Sequence, residues 1–216
     1  MTPRERVLQA IDHKSTDIVP YHIALTRQAR DRLTAYTGDK DYIENIGNHL
    51  LTASYGSFME IESGSGYWRD HFGVIWNRNG ADTDIGVVEN HILPGPGFDG
   101  LQMPDIDEPA LRSACEAVMA VGSDQCRVFA MGFSLFERAW TLRGMENLLM
   151  DMAAEQDFAH ELLDRICEYN LKVLDIALEY SFDICHFGDD WGQQKGLIMG
   201  PACWRKFVKP RLARMY

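Results

Sequence analysis

"FDICHFGDDWGQQKG", residues 182–196, decides how the chain is read. The apolar run from Phe182 to Phe187 stops at Gly188 and two adjacent carboxylates, Asp189 and Asp190. A short apolar run closed by glycine predicts a buried strand of a parallel sheet. In such sheets ligands bind at the carboxyl ends of the strands, where loops lead into helices. An Asp at that end can act as general acid or base, hold a cationic or N–H-bearing ligand, or bind a metal. Two adjacent carboxylates also repel, which raises one pKa toward a useful range. Alternatively, Asp189 or Asp190 caps a short helical turn and Trp191 covers the rim. The residues leave both readings open.

Working outward, "CRVFAMGF" (126–133) predicts a second buried strand, and "DIVPYHIAL" (17–25) a first one with proline near its start. Helices are predicted over 2–15, where Thr2 and Glu5 form a capping box, and over 26–38, closed by Gly38. Further helices are predicted at 39–51, 107–122, 134–155 and 157–180, and from 200 to the end, with a kink at Pro210. Residues 66–93 are rich in aromatics, glycine and β-branched residues around an Asn-Arg-Asn-Gly turn, and predict two or three antiparallel strands. Strands alternating with long helices predict an α/β fold with a largely parallel sheet, in a single domain over 1–216. Few sheet strands precede Tyr216, and a closed eight-stranded barrel takes about 250 residues. Either the sheet is open or the chain is the front part of a longer protein.

Composition narrows the function. The 216 residues carry 21 basic and 32 acidic side chains, a net charge of −11. That balance argues against nucleic acid and anionic membrane surfaces, which need a basic footprint. No apolar run approaches the roughly 20 residues of a membrane span. The charged N-terminus does not resemble a signal peptide. The five cysteines form no C-x-x-C pair, and together these features predict a cytoplasmic protein. His186 adjoins Cys185, but neighbours on a strand point to opposite faces and cannot share one metal. "GFSLFERAW" (132–140) is a second strand-end loop. Its Arg138 either holds a carboxylate or phosphate, or pairs with Glu137 or Glu146.

Three segments carry a family resemblance. "TPRERVLQAIDHKSTDIVPYHI" (2–23) resembles the N-terminus of the uroporphyrinogen decarboxylase superfamily. "GFSLFERAWTL" (132–142) resembles its G-F-x-x-x-P-W-T-L segment, with Ala139 in place of the proline. "FGDDWGQQKGLIMGPACWRKFVKP" (187–210) is similar to the F-D-S-W-A-G stretch after a barrel strand. The resemblance implies the N-terminal half to two-thirds of a (β/α)8 barrel, with the chain continuing beyond Tyr216. It puts Asp189 and Asp190 on the catalytic face. Trp191, Gln193, Gln194, His186, Phe133, Arg138 and Glu60 are then the expected substrate contacts, Glu60 standing where the decarboxylase grips pyrrole N–H groups.

The superfamily holds cofactor-free decarboxylases and zinc-using methyltransferases that work with a corrinoid protein. Departures here favour the methyltransferase-like branch. The decarboxylase's R-Q-A-G-R-Y loop is reduced to "RQAR" (27–30), its pocket tyrosine falls at about Met145, and residues 68–90 resemble an insertion of the methyltransferase-like branch. That resemblance implies zinc held by an H-x-C motif downstream of this chain, with no metal ligand inside it. It also implies a small-molecule substrate and a corrinoid partner protein; a homodimer is a further expectation. Uroporphyrinogen decarboxylation and a non-catalytic binding barrel are the alternatives.

Overall fold

A computed structural model describes residues 1–80 and 83–216 of the chain. Helix α1 (Pro3–Ile11) starts as its sequence predicts: the Glu5 N–H donates to Thr2 Oγ1, and the Thr2 N–H donates to the Glu5 carboxylate. Helix α2 (Arg27–Thr37) is capped by the Thr26 side chain and ends on Gly38 at φ 72°, which glycine adopts without steric penalty. The strand expected at 17–25 does not form. Its backbone bonds to side chains instead: the Tyr21 N–H donates to His49 Nδ1 at 2.7 Å, and the Ile23 N–H to Asn48 Oδ1 at 2.7 Å. Pro20 has no N–H for a ladder, so the segment runs past the sheet without joining it.

The helix expected at 39–51 is also corrected. Only α3 (Tyr42–Asn45) is helical, and Asp41 makes no side-chain cap. Glu44 pairs with Arg30 at 2.7 Å, and the chain then turns at Gly47. Leu50 and Leu51 open strand β1 (Leu50–Ser54). The spacing of Ile43, Ile46, Leu50 and Leu51 imitates a helical stripe, but sheet pairing claims the last two.

The excursion expected at 66–93 holds three strands, and β2 (Phe58–Glu60), just before it, joins them in one antiparallel sheet in the order β2, β3 (Tyr67–Asp70), β4 (Ile75–Asn77) and β5 (Val87–Val88). Ala81 and Asp82, within the predicted excursion, lie outside the described residues. Helix α4 (Glu108–Ala120), capped by Asp107, leads to strand β6 (Cys126–Met131). The helix expected at 134–155 divides into α5 (Phe136–Arg143) and α6 (Met145–Ala154) at Gly144, whose φ of 90° breaks the helical path. Helix α7 (Gln156–Ala177) and strand β7 (Ile184–Phe187) follow. A small hairpin, β8 (Gly192–Gln193) and β9 (Gly196–Leu197), leads into α8 (Gly200–Phe207) and α9 (Lys209–Met215). The break between the last two helices falls at Val208, not Pro210. Pro210 lies in the first turn of α9, where its missing N–H leaves no bond unmade.

The parallel sheet has the order β1-β6-β7, with β6 paired along its length to β1 and, from Val128 to Met131, to β7. Helix α7 adds to the core an inward stripe that includes Leu162, Leu163, Ile166 and Val173, all almost fully buried. Each such side chain contributes about 1.5–3 kcal/mol relative to exposure. Leu142, Leu148 and Phe207 complete the same core. Among the described residues, no helix is long and apolar enough to cross a membrane.

Candidate active site at the carboxyl ends of β6 and β7

The loops that leave β6 and β7 are bonded to each other. The Gly188 N–H donates to the Met131 carbonyl at 2.8 Å, and the Ser134 N–H donates to the Gly188 carbonyl at 3.0 Å. A Cβ at Gly188 would stand 3.4 Å from Gly132 Cα, in ordinary van der Waals contact, so the two backbones lie side by side. This approach delivers Asp189 to the start of α5. Its carboxylate accepts from the N–H groups of Leu135 (3.3 Å), Phe136 (3.1 Å) and Glu137 (2.7 Å), and from the Trp191 indole. Asp189 is therefore a cap, but of the helix after the preceding strand rather than of its own turn. The helix N-terminus and the four donors favour the anion, while burial pushes its pKa above the ordinary carboxylate value.

Asp190 is exposed beside Glu137, a half-buried residue in the first turn of α5. Burial first, then the charges of Asp190 and Asp189, push the Glu137 carboxyl up to about 7, against a backbone N–H bond from Asp190 that favours the anion. Glu137 is the functional candidate that sequence reasoning missed. Its signal was present, an acid five residues past the glycine that ends a buried strand, but only as a pairing partner for Arg138. The cluster of Glu137, Asp189 and Asp190 exists only because the two loops meet.

The other expected contacts separate into groups. Trp191 is half-buried; its indole donates to Asp189, and its ring lies 5.7 Å from that of Trp204. Gln193 and Gln194 are exposed on the β8–β9 hairpin just beyond it. His186 is exposed on β7, in register with Ala130. Phe133 directly follows Gly132 at the end of β6 with φ 47°, a conformation non-glycine residues rarely hold. Its ring lies 5.2 Å from that of Trp76. Glu60 stands apart on β2, accepting from the Gly66 N–H at 3.2 Å.

Arg138 corrects the pairing with Glu137 or Glu146 expected for it. It pairs with neither Glu137 nor Glu146 but with Asp70 of the antiparallel sheet. It is 3% exposed, and its guanidinium donates to Asp70 Oδ2 at 2.6 Å. Asp70 also accepts from the Phe72 and Val74 N–H groups and the Trp76 indole, so the pair fastens the antiparallel sheet to α5. Burying both charges is tolerable because each is paired and hydrogen-bonded.

Among the described residues, no three His, Cys, Asp or Glu side chains form a group that holds a metal ion. Burial pushes the Cys126 thiol up to about 11 and also raises Cys115, Cys167, Cys185 and Cys203, which disfavours the thiolates that metals require.

The uroporphyrinogen decarboxylase (URO-D) family matches residues 79–216, and the chain belongs to it. Among solved structures, a methyltransferase from Methanosarcina mazei superposes with a TM-score of 0.67 at 17% sequence identity. The likeness covers 100% of this chain and 66% of that one, so the chain spans just under two thirds of its neighbour's length. The shared fold is the N-terminal part of a barrel of the uroporphyrinogen decarboxylase type, with its antiparallel excursion. No curated protein is significantly similar in sequence.

Proposed function

We propose that this chain carries the acid–base face of a methyl-transferring enzyme of the uroporphyrinogen decarboxylase superfamily. The observation that supports it is Glu137, pushed up to about 7 between Asp189 and Asp190 at the carboxyl ends of β6 and β7. A carboxyl near half-protonation at neutral pH is matched to general acid work. When a methyl group leaves a substrate heteroatom, that atom takes up negative charge and needs a proton. Glu137 donates the proton, and Asp190, exposed beside it, keeps its pKa high. Asp189 acts as a positioning residue, fixing the first turn of α5 that carries Glu137. Trp191, Gln193 and Gln194 form the rim against which a small substrate rests.

The same cluster disfavours the decarboxylase reading. Uroporphyrinogen bears a rim of carboxylates, and three acidic side chains at the strand ends repel it within a chain of net charge −11. The name of the methyltransferase neighbour agrees with this preference. The corrinoid, on this reading, is carried by a partner protein and exchanges the methyl group with the substrate. Zinc does not fit the described residues of this chain.

The test uses the complete protein, its methyl donors and a corrinoid protein, with products followed by mass. Methyl transfer that falls at least about tenfold in Glu137→Gln supports the proposal. Coproporphyrinogen formed from uroporphyrinogen at enzymatic rates overturns it in favour of the decarboxylase.

A further inference from the structure

Away from the acid cluster, a small cavity of about 20 Å³ lies between the end of β6, helices α5 and α7, and the antiparallel sheet. Its lining includes His71, Arg138, Tyr169 and Gly132, with apolar walls from Phe72 and Val173. Three of these residues carry a buried polar atom without a hydrogen-bond partner: His71 Nδ1, Arg138 Nε and Tyr169 Oη. Arg138 and Tyr169 are 3% and 7% exposed, so bulk water does not satisfy them. Tyr169 Oη approaches the Tyr55 hydroxyl, but in a geometry that leaves it without a hydrogen bond. Leaving buried polar groups unpaired is costly, and native proteins rarely gather three around one void.

The hydrogen-bonding roles of the three atoms identify the occupant. Burial, followed by the Arg138 charge, lowers the His71 pKa to about 4, so its ring is neutral at physiological pH. A neutral imidazole keeps one nitrogen as an acceptor, and Nδ1 is the ring nitrogen that is buried here without a partner. His71 Nδ1 is then an acceptor, Arg138 Nε–H a donor, and the Tyr169 hydroxyl either. A halide would face the lone pair of His71, and an ammonium would face the guanidinium. Only a molecule that both donates and accepts satisfies all three. The volume admits one such molecule of water size.

We propose that a single ordered water occupies this cavity, donating to His71 Nδ1, accepting from Arg138 Nε and bonding to Tyr169 Oη. The water ties the antiparallel sheet, through His71, to α5 through Arg138 and to α7 through Tyr169. It completes the bonding around the buried Arg138–Asp70 pair, directly behind Glu137 in the sequence. The inference is independent of the reaction assigned to the acid cluster.

High-resolution crystals of the full chain, with a second set soaked in bromide, test it. The expected result is one density peak within hydrogen-bond distance of all three atoms, with no anomalous signal after the soak. An empty cavity, or a peak that gains the bromide signal, overturns it. Val173→Ile, which crowds one wall, gives a second readout in solution. Displacing a bound water lowers the melting temperature, whereas filling a dry void raises it and contradicts the proposal.

Discussion

The Glu137 backbone N–H donates to Asp189 Oδ1 at 2.7 Å, while burial and the charges of Asp190 and Asp189 push the Glu137 side-chain carboxyl up to about 7. The same residue therefore stabilises one carboxylate through its backbone and is destabilised as an anion through its side chain. The consequence is a division of labour among three acids. Asp189 holds the helix start, Asp190 supplies charge, and Glu137 keeps a proton near neutral pH.

Asp189 is expected to matter for stability as well as activity. Asp189→Ala strands three backbone N–H groups and the Trp191 indole, and is expected to cost about 2–3 kcal/mol. Asp189→Asn keeps an acceptor oxygen and is expected to cost about 1 kcal/mol. Asp190→Asn, at an exposed position, is expected to stay within about 0.5 kcal/mol. Urea denaturation of the three variants decides. Equal stability for Asp189→Ala and wild type would remove Asp189 from its structural role.

Glu137 gives stability a pH dependence of definite sign. Its carboxyl lies at 4.5 in the unfolded chain and at about 7 when folded. Between those values the folded state holds the extra proton, so this contribution is fully present below pH 4.5 and is lost as pH rises through 7. Glu137→Gln removes the slope. Allowing for partial exposure, the variant is expected to gain about 1–2 kcal/mol on wild type at pH 8 relative to pH 4. Parallel stability curves for variant and wild type would refute it.

The buried pair predicts strong coupling. Arg138→Met leaves Asp70 charged and without its cation, at an expected cost of about 3–5 kcal/mol. Adding Asp70→Asn is expected to recover part of that loss, because no unpaired charge then remains. Chemical denaturation of both single variants and the double variant measures the coupling. Strict additivity would mean that the pair does not fasten the antiparallel sheet to α5.

Much of this architecture was legible where local signals agree with long-range pairing. The Thr2–Glu5 capping box, the Gly38 stop, strands 126–131 and 184–187, and helix α7 all follow from residues close in sequence. The failures have a common cause. Leu50 and Leu51 fit a helical stripe, and only their pairing with Cys126 and Arg127 makes them a strand. Ile18, Val19 and Ile23 look like a strand but remain exposed, because side chains of Asn48 and His49 take the backbone bonds of the segment. At the site, the carboxyl-end position of Asp189 and Asp190 was legible from the apolar run before them. The role of Glu137 was not, because it depends on contact between loops some fifty residues apart. The partner of Arg138 was not legible for the same reason, Asp70 lying in another sheet.

The central claim is that Glu137 holds a proton near neutral pH, and its own titration tests this most directly. Side-chain carboxyl carbons labelled with ¹³C can be followed by NMR across the pH range, with Glu137→Gln identifying the signal. The account predicts a midpoint near 7, moving down in Asp190→Asn as the neighbouring charge is removed. A midpoint at the ordinary value of 4.5, unchanged in Asp190→Asn, would contradict it.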